Sequence, residues 1–258
     1  MERIPLISPH LTLDALRQQA TGQGVQVAVI DSGIDPHHPD LQGRVVRACV
    51  VDKGSDRTIA CRDIDPLESR DDFGHGTAVA GIIAAVAPQV ELINVRVLNE
   101  YNACSGDILI AGLRWALAQN IKVINLSLAT MKERFFPELF QLCEQAYEQD
   151  AILIVSRRNL GGMGCPAMFS SVISVERGEI AEPYGLRYKT GNLIECDAFG
   201  TRVRTLASGG GYVEQTGTSF AAPHVTGFIA LMVEQWPDLV AVEAKALLKS
   251  FSRQATGR

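Results

Sequence analysis

Three short segments of this 258-residue chain carry side chains suited to nucleophilic catalysis. Asp31 ends the apolar run VAVID and is followed by Gly33, His75 stands between two glycines in DDFGHGTAVAG, and Ser219 lies in QTGTSFAAPHV. A serine becomes an effective nucleophile when a base takes its proton, an acid orients that base, and donors face the developing oxyanion. The chain offers one candidate for each part. Each residue alone has a plainer reading: a strand-end aspartate serves as a cap, a metal ligand or a phosphate-site acid, and a histidine or serine at a helix start serves as a cap. A histidine at a helix N-terminus is expected to be held neutral by the positive helix end, which is the state a base requires. A serine there would have charge on its oxygen stabilised. Among the other histidines, His10, His37 and His38 fall in Pro-containing loops, with His37-His38 expected as a solvated pair, and His224 is expected to be packed within a long helix.

Such residues need rigid elements to hold them. Residues 25–30 (VQVAVI), 91–98 (ELINVRVL), 122–128 (KVINLSL) and 151–155 (AILIV) read as buried strands. Between them, residues 105–119 carry apolar side chains near helical spacing, and residues 137–149 open on a proline suited to a first turn. Strand and helix in alternation predict an α/β fold with a parallel sheet covered by helices on both faces, and such sheets place chemistry at the carboxyl ends of their strands. Asp31 follows the first strand and Asn159 follows the fourth. Residues 161–164 and 175–211 read as loops and surface hairpins. A long helix over about 219–235 and a final helix to about 251, capped by Asp238, complete the chain.

Composition limits the remaining possibilities. With 24 Lys and Arg against 29 Asp and Glu, the net charge is −5, which weakens the case for a nucleic-acid or anionic-membrane binder. The start of the chain lacks the pattern of a secretory signal, and no apolar run reaches membrane-spanning length. Six scattered cysteines without a C-x-x-C pair suit neither a zinc site nor a disulfide scaffold, and most are expected to be buried thiols in a cytoplasmic protein. Neither GGMG nor GGG fits a dinucleotide or phosphate loop.

Taken together, the blocks around Asp31, His75 and Ser219 resemble the three motifs of the subtilisin-like serine proteases, in the same order. The resemblance runs from about residue 24 to 251. It implies a three-layer, subtilisin-like α/β sandwich and an endopeptidase acting through an acyl-enzyme. Asn159 then matches the side-chain oxyanion donor. Ser127, Leu128 and Ala129 match one edge that pairs with an extended peptide, and the segment holding Ser105 and Gly106 matches the other. Peptide or protein substrates are implied, with oligomeric state left open.

Departures from the family pattern qualify this reading. Small residues usually precede the asparagine, whereas here Arg157 and Arg158 do. Arg158 is therefore counted among the substrate-binding residues: a guanidinium at the first specificity pocket would favour an acidic side chain. The alternative is that one or both arginines point to solvent or pair with a local acid. The path from residue 85 to 91 is too short for the family's calcium loop. Asp40 alone supplies too few oxygens, so no metal or other cofactor is expected. Residues 1–24 are read as an N-terminal extension, with residues 4–9 either lying across the active site or packed on the surface, and residues 25–258 as the catalytic domain. Two rival functions stay open: a maturation protease or transpeptidase dedicated to one precursor, and a catalytically weak regulatory module on the same fold.

Overall fold

A computed structural model describes residues 11–159, 162 and 164–255. The elements in chain order are α1 (Leu13–Gln19), β1 (Gln26–Asp31), β2 (Val45–Lys53), β3 (Ile59–Ile64), α2 (His75–Val86), β4 (Glu91–Arg96), α3 (Gly106–Ala118) and β5 (Val123–Leu126). They continue with α4 (Phe136–Glu148), β6 (Ile152–Ser156), β7 (Ile173–Arg177), β8 (Leu186–Tyr188), β9 (Cys196–Ala198), β10 (Val203–Leu206), β11 (Tyr212–Gln215), α5 (Thr218–Gln235) and α6 (Ala241–Ala255). Nine strands form one sheet in the order β3-β2-β4-β1-β5-β6-β7-β9-β8, parallel except where the edge strands β3 and β8 run against their neighbours.

The period of two in β1 shows how the sheet divides its apolar side chains. Val27 and Val29 face a core built with α2, α5 and α6, while Ala28 and Ile30 face a second core built with α3 and α4. Both faces are dry, as a parallel sheet requires. The result is the expected three-layer α/β sandwich. The four expected strands correspond to β1, β4, β5 and β6, with ends shifted by one or two residues.

Other expectations need correction. Residues 175–211 are not only loops and hairpins: β7 and β9 extend the main sheet and β8 closes its edge, leaving β10 and β11 as the separate hairpin. The last helix runs on to Ala255 and is not capped by Asp238; Glu243 reaches back to the Val240 N–H at 3.2 Å instead. His38 is buried, not solvated, because its ring bonds the Gly211 carbonyl at 3.0 Å and the Asp40 N–H at 3.2 Å. The described part of the N-terminal segment belongs to the globule: Leu16 enters the core, and Glu234 at the end of α5 accepts from the Thr21 and Gly22 N–H groups at 2.7 and 2.5 Å. That attachment lies fifteen helical residues, roughly 22 Å, from Ser219. Residues 4–9 fall outside the described residues.

Candidate active site

Asp31 is the last residue of β1, a central strand, and is wholly buried. Its Oδ1 lies 2.7 Å from His75 Nδ1 and accepts the Ser32 N–H at 2.8 Å. Its main-chain carbonyl accepts from Val97 and Leu98, which ties the strand end to the exit of β4.

His75 opens α2, and two glycines let that helix start approach β1 closely. A β-carbon on Gly76 would lie 2.0 Å from the Gly33 carbonyl oxygen, and one on Gly33, whose φ is +124°, would lie 1.9 Å from that of Arg70. Asp71, which sequence reasoning missed, completes the junction. Its Oδ1 accepts from Ser32 Oγ at 2.7 Å and the Gly74 N–H at 2.8 Å, and its Oδ2 accepts from both the N–H and Oγ1 of Thr77 at 2.7 Å. This buried carboxylate thus caps α2 where Gly74 has no side chain to do so. The Asp71-x-x-Gly74 spacing ahead of the helix was the available sign of a cap.

The carboxylates around His75, rather than the helix end, set the direction of its shift. Burial, the largest single effect, lowers its pKa, but the charge and hydrogen bond of Asp31 and the charge of Asp71 together outweigh it and raise the imidazole above its ordinary 6.5. His224 is the contrasting case. Burial pushes it down to about 4, and its Nδ1 bonds the Phe220 carbonyl at 2.9 Å, which is the packed role expected of it.

Ser219 is buried at the second position of α5, and the adjacent Phe220 ring packs on His75 with centroids 5.4 Å apart. Pro223, four residues on, has no N–H to give the Ser219 carbonyl. Ser127 Oγ takes that place at 3.3 Å, itself held by Asn125 Nδ2 at 3.1 Å, so the end of β5 and the start of α5 are fastened together.

Asn159 comes to the same helix start from the end of β6. Its Oδ1 accepts the Thr218 N–H at 2.8 Å and Thr218 Oγ1 at 2.9 Å, so the amide oxygen is engaged and its NH2 remains as donor. Thr218 Oγ1 also lies 2.5 Å from the Arg157 carbonyl, and the Arg157 N–H bonds Val175 at 2.7 Å. The Arg157 side chain turns away to Glu176, 2.5 Å distant, which also holds Lys189. Burial would raise the Glu176 carboxyl, but hydrogen bonds from Lys189 and Arg157 outweigh it and hold the pKa below the ordinary value. Arg157 therefore pairs with a local acid.

Arg158 is exposed. A β-carbon on Gly164 would meet those of Ala129 at 2.7 Å and Arg158 at 3.6 Å, so these two residues converge on one spot from β5 and β6. Leu128 is half-buried beside them. Ser105 lines a cavity of about 400 Å³ shared with Ser32, Val51 and Cys104, whereas none of Asp31, His75 or Ser219 lines it. Gly106 is buried under the Phe135 ring, 2.3 Å from where its β-carbon would be.

Among the described residues, no group of three or more His, Cys, Asp or Glu side chains could hold a metal ion, and no helix is long and apolar enough to cross a membrane. Asp40 is engaged by the Tyr212 hydroxyl at 2.8 Å.

Comparison with known proteins agrees with this fold. Residues 22–257 match the model of the subtilase family. An intracellular serine protease of Paenibacillus polymyxa is 31% identical over 248 residues, covering 90% of this chain and 73% of that protein. A subtilisin of Bacillus pumilus is 30% identical over 265 residues, covering 96% of this chain and 91% of that protein. A cold-adapted subtilisin-like serine proteinase of known structure superposes with a TM-score of 0.70 and 25% identity, over 90% of this chain and 83% of that one. The chain belongs to the subtilase family and is a serine endopeptidase, a hydrolase acting on peptide bonds.

Proposed function

We propose that Ser219 is the nucleophile, His75 the general base and then acid, and Asp31 the group that orients His75 and stabilises its charged form. The observation that carries this reading is the 2.7 Å bond between the wholly buried Asp31 carboxylate and His75 Nδ1. That bond fixes the tautomer with Nε2 as the basic nitrogen. Attack on the peptide carbonyl gives an oxyanion received by the NH2 of Asn159 and the N–H of Ser219, which lies in the first helical turn where N–H groups lack intrahelical partners. His75 returns its proton to the leaving amine, and water repeats the cycle on the acyl-enzyme. The loss measured when subtilisin's own side-chain donor is removed is about 10²–10³ in turnover, and Asn159→Ala is expected to lose as much.

The substrate is a peptide or protein strand laid between residues 127–129 and the segment holding Ser105 and Gly106. Arg158 has its β-carbon beside Ala129 at the expected first specificity pocket, and a guanidinium there favours an acidic residue before the cut. The reading includes no structural calcium near Asp40: the Asp40 carboxylate is engaged by the Tyr212 hydroxyl, and α2 runs unbroken from His75 to Val86. The chain works in the cytoplasm, in keeping with its six free cysteines.

A fluorophosphonate probe is expected to label the wild-type chain and not Ser219→Ala. Labelling of Ser219→Ala, or an unlabelled wild type, overturns the assignment. Cutting of unrelated proteins by the unmodified wild-type chain separates a general endopeptidase from one dedicated to a single precursor.

A further inference from the structure

The catalytic reading uses none of the cysteines, and two of them meet. The hairpin register pairs Cys49 with Asp63 and Val51 with Cys61, which sets the two thiols diagonally on one face of β2 and β3. Cross-strand diagonals hold Cα atoms about 7–8 Å apart, with β-carbons closer. Here the thiols lie close enough for each to influence the other's titration. Their face looks onto α3: Cys49 and Val51 belong to the core under that helix, and Cys61 Sγ donates to the Ala111 carbonyl at 3.6 Å. Cys61 is exposed and Cys49 is buried, so one thiol of the pair is open to a reagent and the other waits behind it.

We propose that Cys49 and Cys61 form an oxidisable dithiol site, which a small disulfide such as oxidised glutathione converts to a cross-strand disulfide. Cys61 loses its proton and attacks one sulfur of the oxidant, giving a mixed disulfide and expelling one glutathione thiolate, which takes up that proton. Cys49 then loses its proton, attacks the Cys61 sulfur and expels the second glutathione. Two protein thiols are oxidised, and one disulfide is reduced to two thiols.

Burial pushes Cys49 up to about 12 and also raises Cys61, so thiolate is scarce at neutral pH and the reaction quickens as pH rises. A diagonal pair at about 7–8 Å lies beyond the roughly 4.4–6.8 Å a disulfide usually spans, so closing the bond requires the strands to shift together, and the resulting strain makes it easy to reduce again. Beyond Cys49, β2 continues into Val51, Asp52 and Lys53, which line the same cavity as Ser105. A link that draws β3 toward β2 therefore acts next to the expected substrate edge.

The test uses the reduced full-length chain, incubated at length with oxidised glutathione at about pH 9, because both thiols are raised and ionise little at neutral pH. It is quenched with N-ethylmaleimide in denaturant and digested with trypsin without reductant. Cuts after Arg47, Lys53, Arg57 and Arg62 release ACVVDK and TIACR. The expected result is these two peptides joined, two hydrogens lighter than their sum, in most molecules, and separated again by dithiothreitol. In Cys49→Ser, Cys61 stops at the mixed disulfide with glutathione. The proposal is overturned if wild-type Cys61 retains glutathione while Cys49 carries maleimide. It is equally overturned if both carry maleimide after an exposure that fully oxidises a dithiol peptide in the same tube.

Discussion

Asp71→Asn tests whether the junction between β1 and α2 works as described, because it keeps the side chain's shape while removing its charge and one acceptor. Each Asp71 oxygen receives one backbone N–H, from Gly74 or Thr77, and one hydroxyl, from Ser32 or Thr77. Whichever way the new amide turns, its NH2 faces one of these pairs. The hydroxyl can rotate to accept, but the backbone N–H of that pair is left buried without a partner, at about 1–3 kcal/mol. The bonds that persist lose their charge assistance, which brings the total to about 3–5 kcal/mol. At about 2–3 °C per kcal/mol for a chain of this size, Tm falls by about 6–15 °C. The second readout is the pH profile of kcat/KM on a peptide substrate at a temperature where the variant is folded. The Asp71 charge helps to raise His75, so its loss moves the acid limb to lower pH. Asp72→Asn is the control: it removes the same charge from an exposed side chain 3.7 Å from Arg96, where an ion pair is worth less than about 1 kcal/mol. If Asp71→Asn is no less stable than Asp72→Asn, or leaves the limb in place, the role given to Asp71 is wrong.

Three further outcomes follow from the site. In the wild type, the base form of His75 is neutral and its pKa is raised, so kcat/KM should climb with pH through an inflection above 6.5; one below that value contradicts the influence of Asp31 and Asp71. Glu176→Gln removes the partner of Arg157 and releases its guanidinium near the pocket, so a panel of peptides varied at the residue before the cut should shift toward Asp and Glu. A wild-type preference for aliphatic or aromatic residues there would remove the acidic reading altogether. Excess chelator should leave Tm unchanged, and a fall of several degrees would show that a structural metal had been overlooked.

Asp31, His75 and Ser219 stood out as candidates because each sits in a motif of adjacent residues, and β1, β4, β5 and β6 were legible because an uninterrupted apolar run is written locally. The hairpin strand β3 was not, since a mostly exposed edge strand shows no alternation. The three-residue strands β8 and β9 are too short to carry a period at all. Pairing decided these elements, and pairing partners lie far along the chain.

The same division runs through the site. The sequence by itself determined which groups could perform the chemistry and that they lie at the ends of strands and the starts of helices, because residue type and local periodicity need no knowledge of the fold. It presented Asp71 and Asp72 as equals, Arg157 and Arg158 as a pair, and His37 and His38 as a pair. Tertiary structure separated each of them, burying Asp71 among four donors, giving Arg157 to Glu176 nineteen residues away, and placing His38 against Gly211. Neighbours in sequence point in different directions once a chain turns, and the energy of a charged or polar group is set by its distance in space to partners and water.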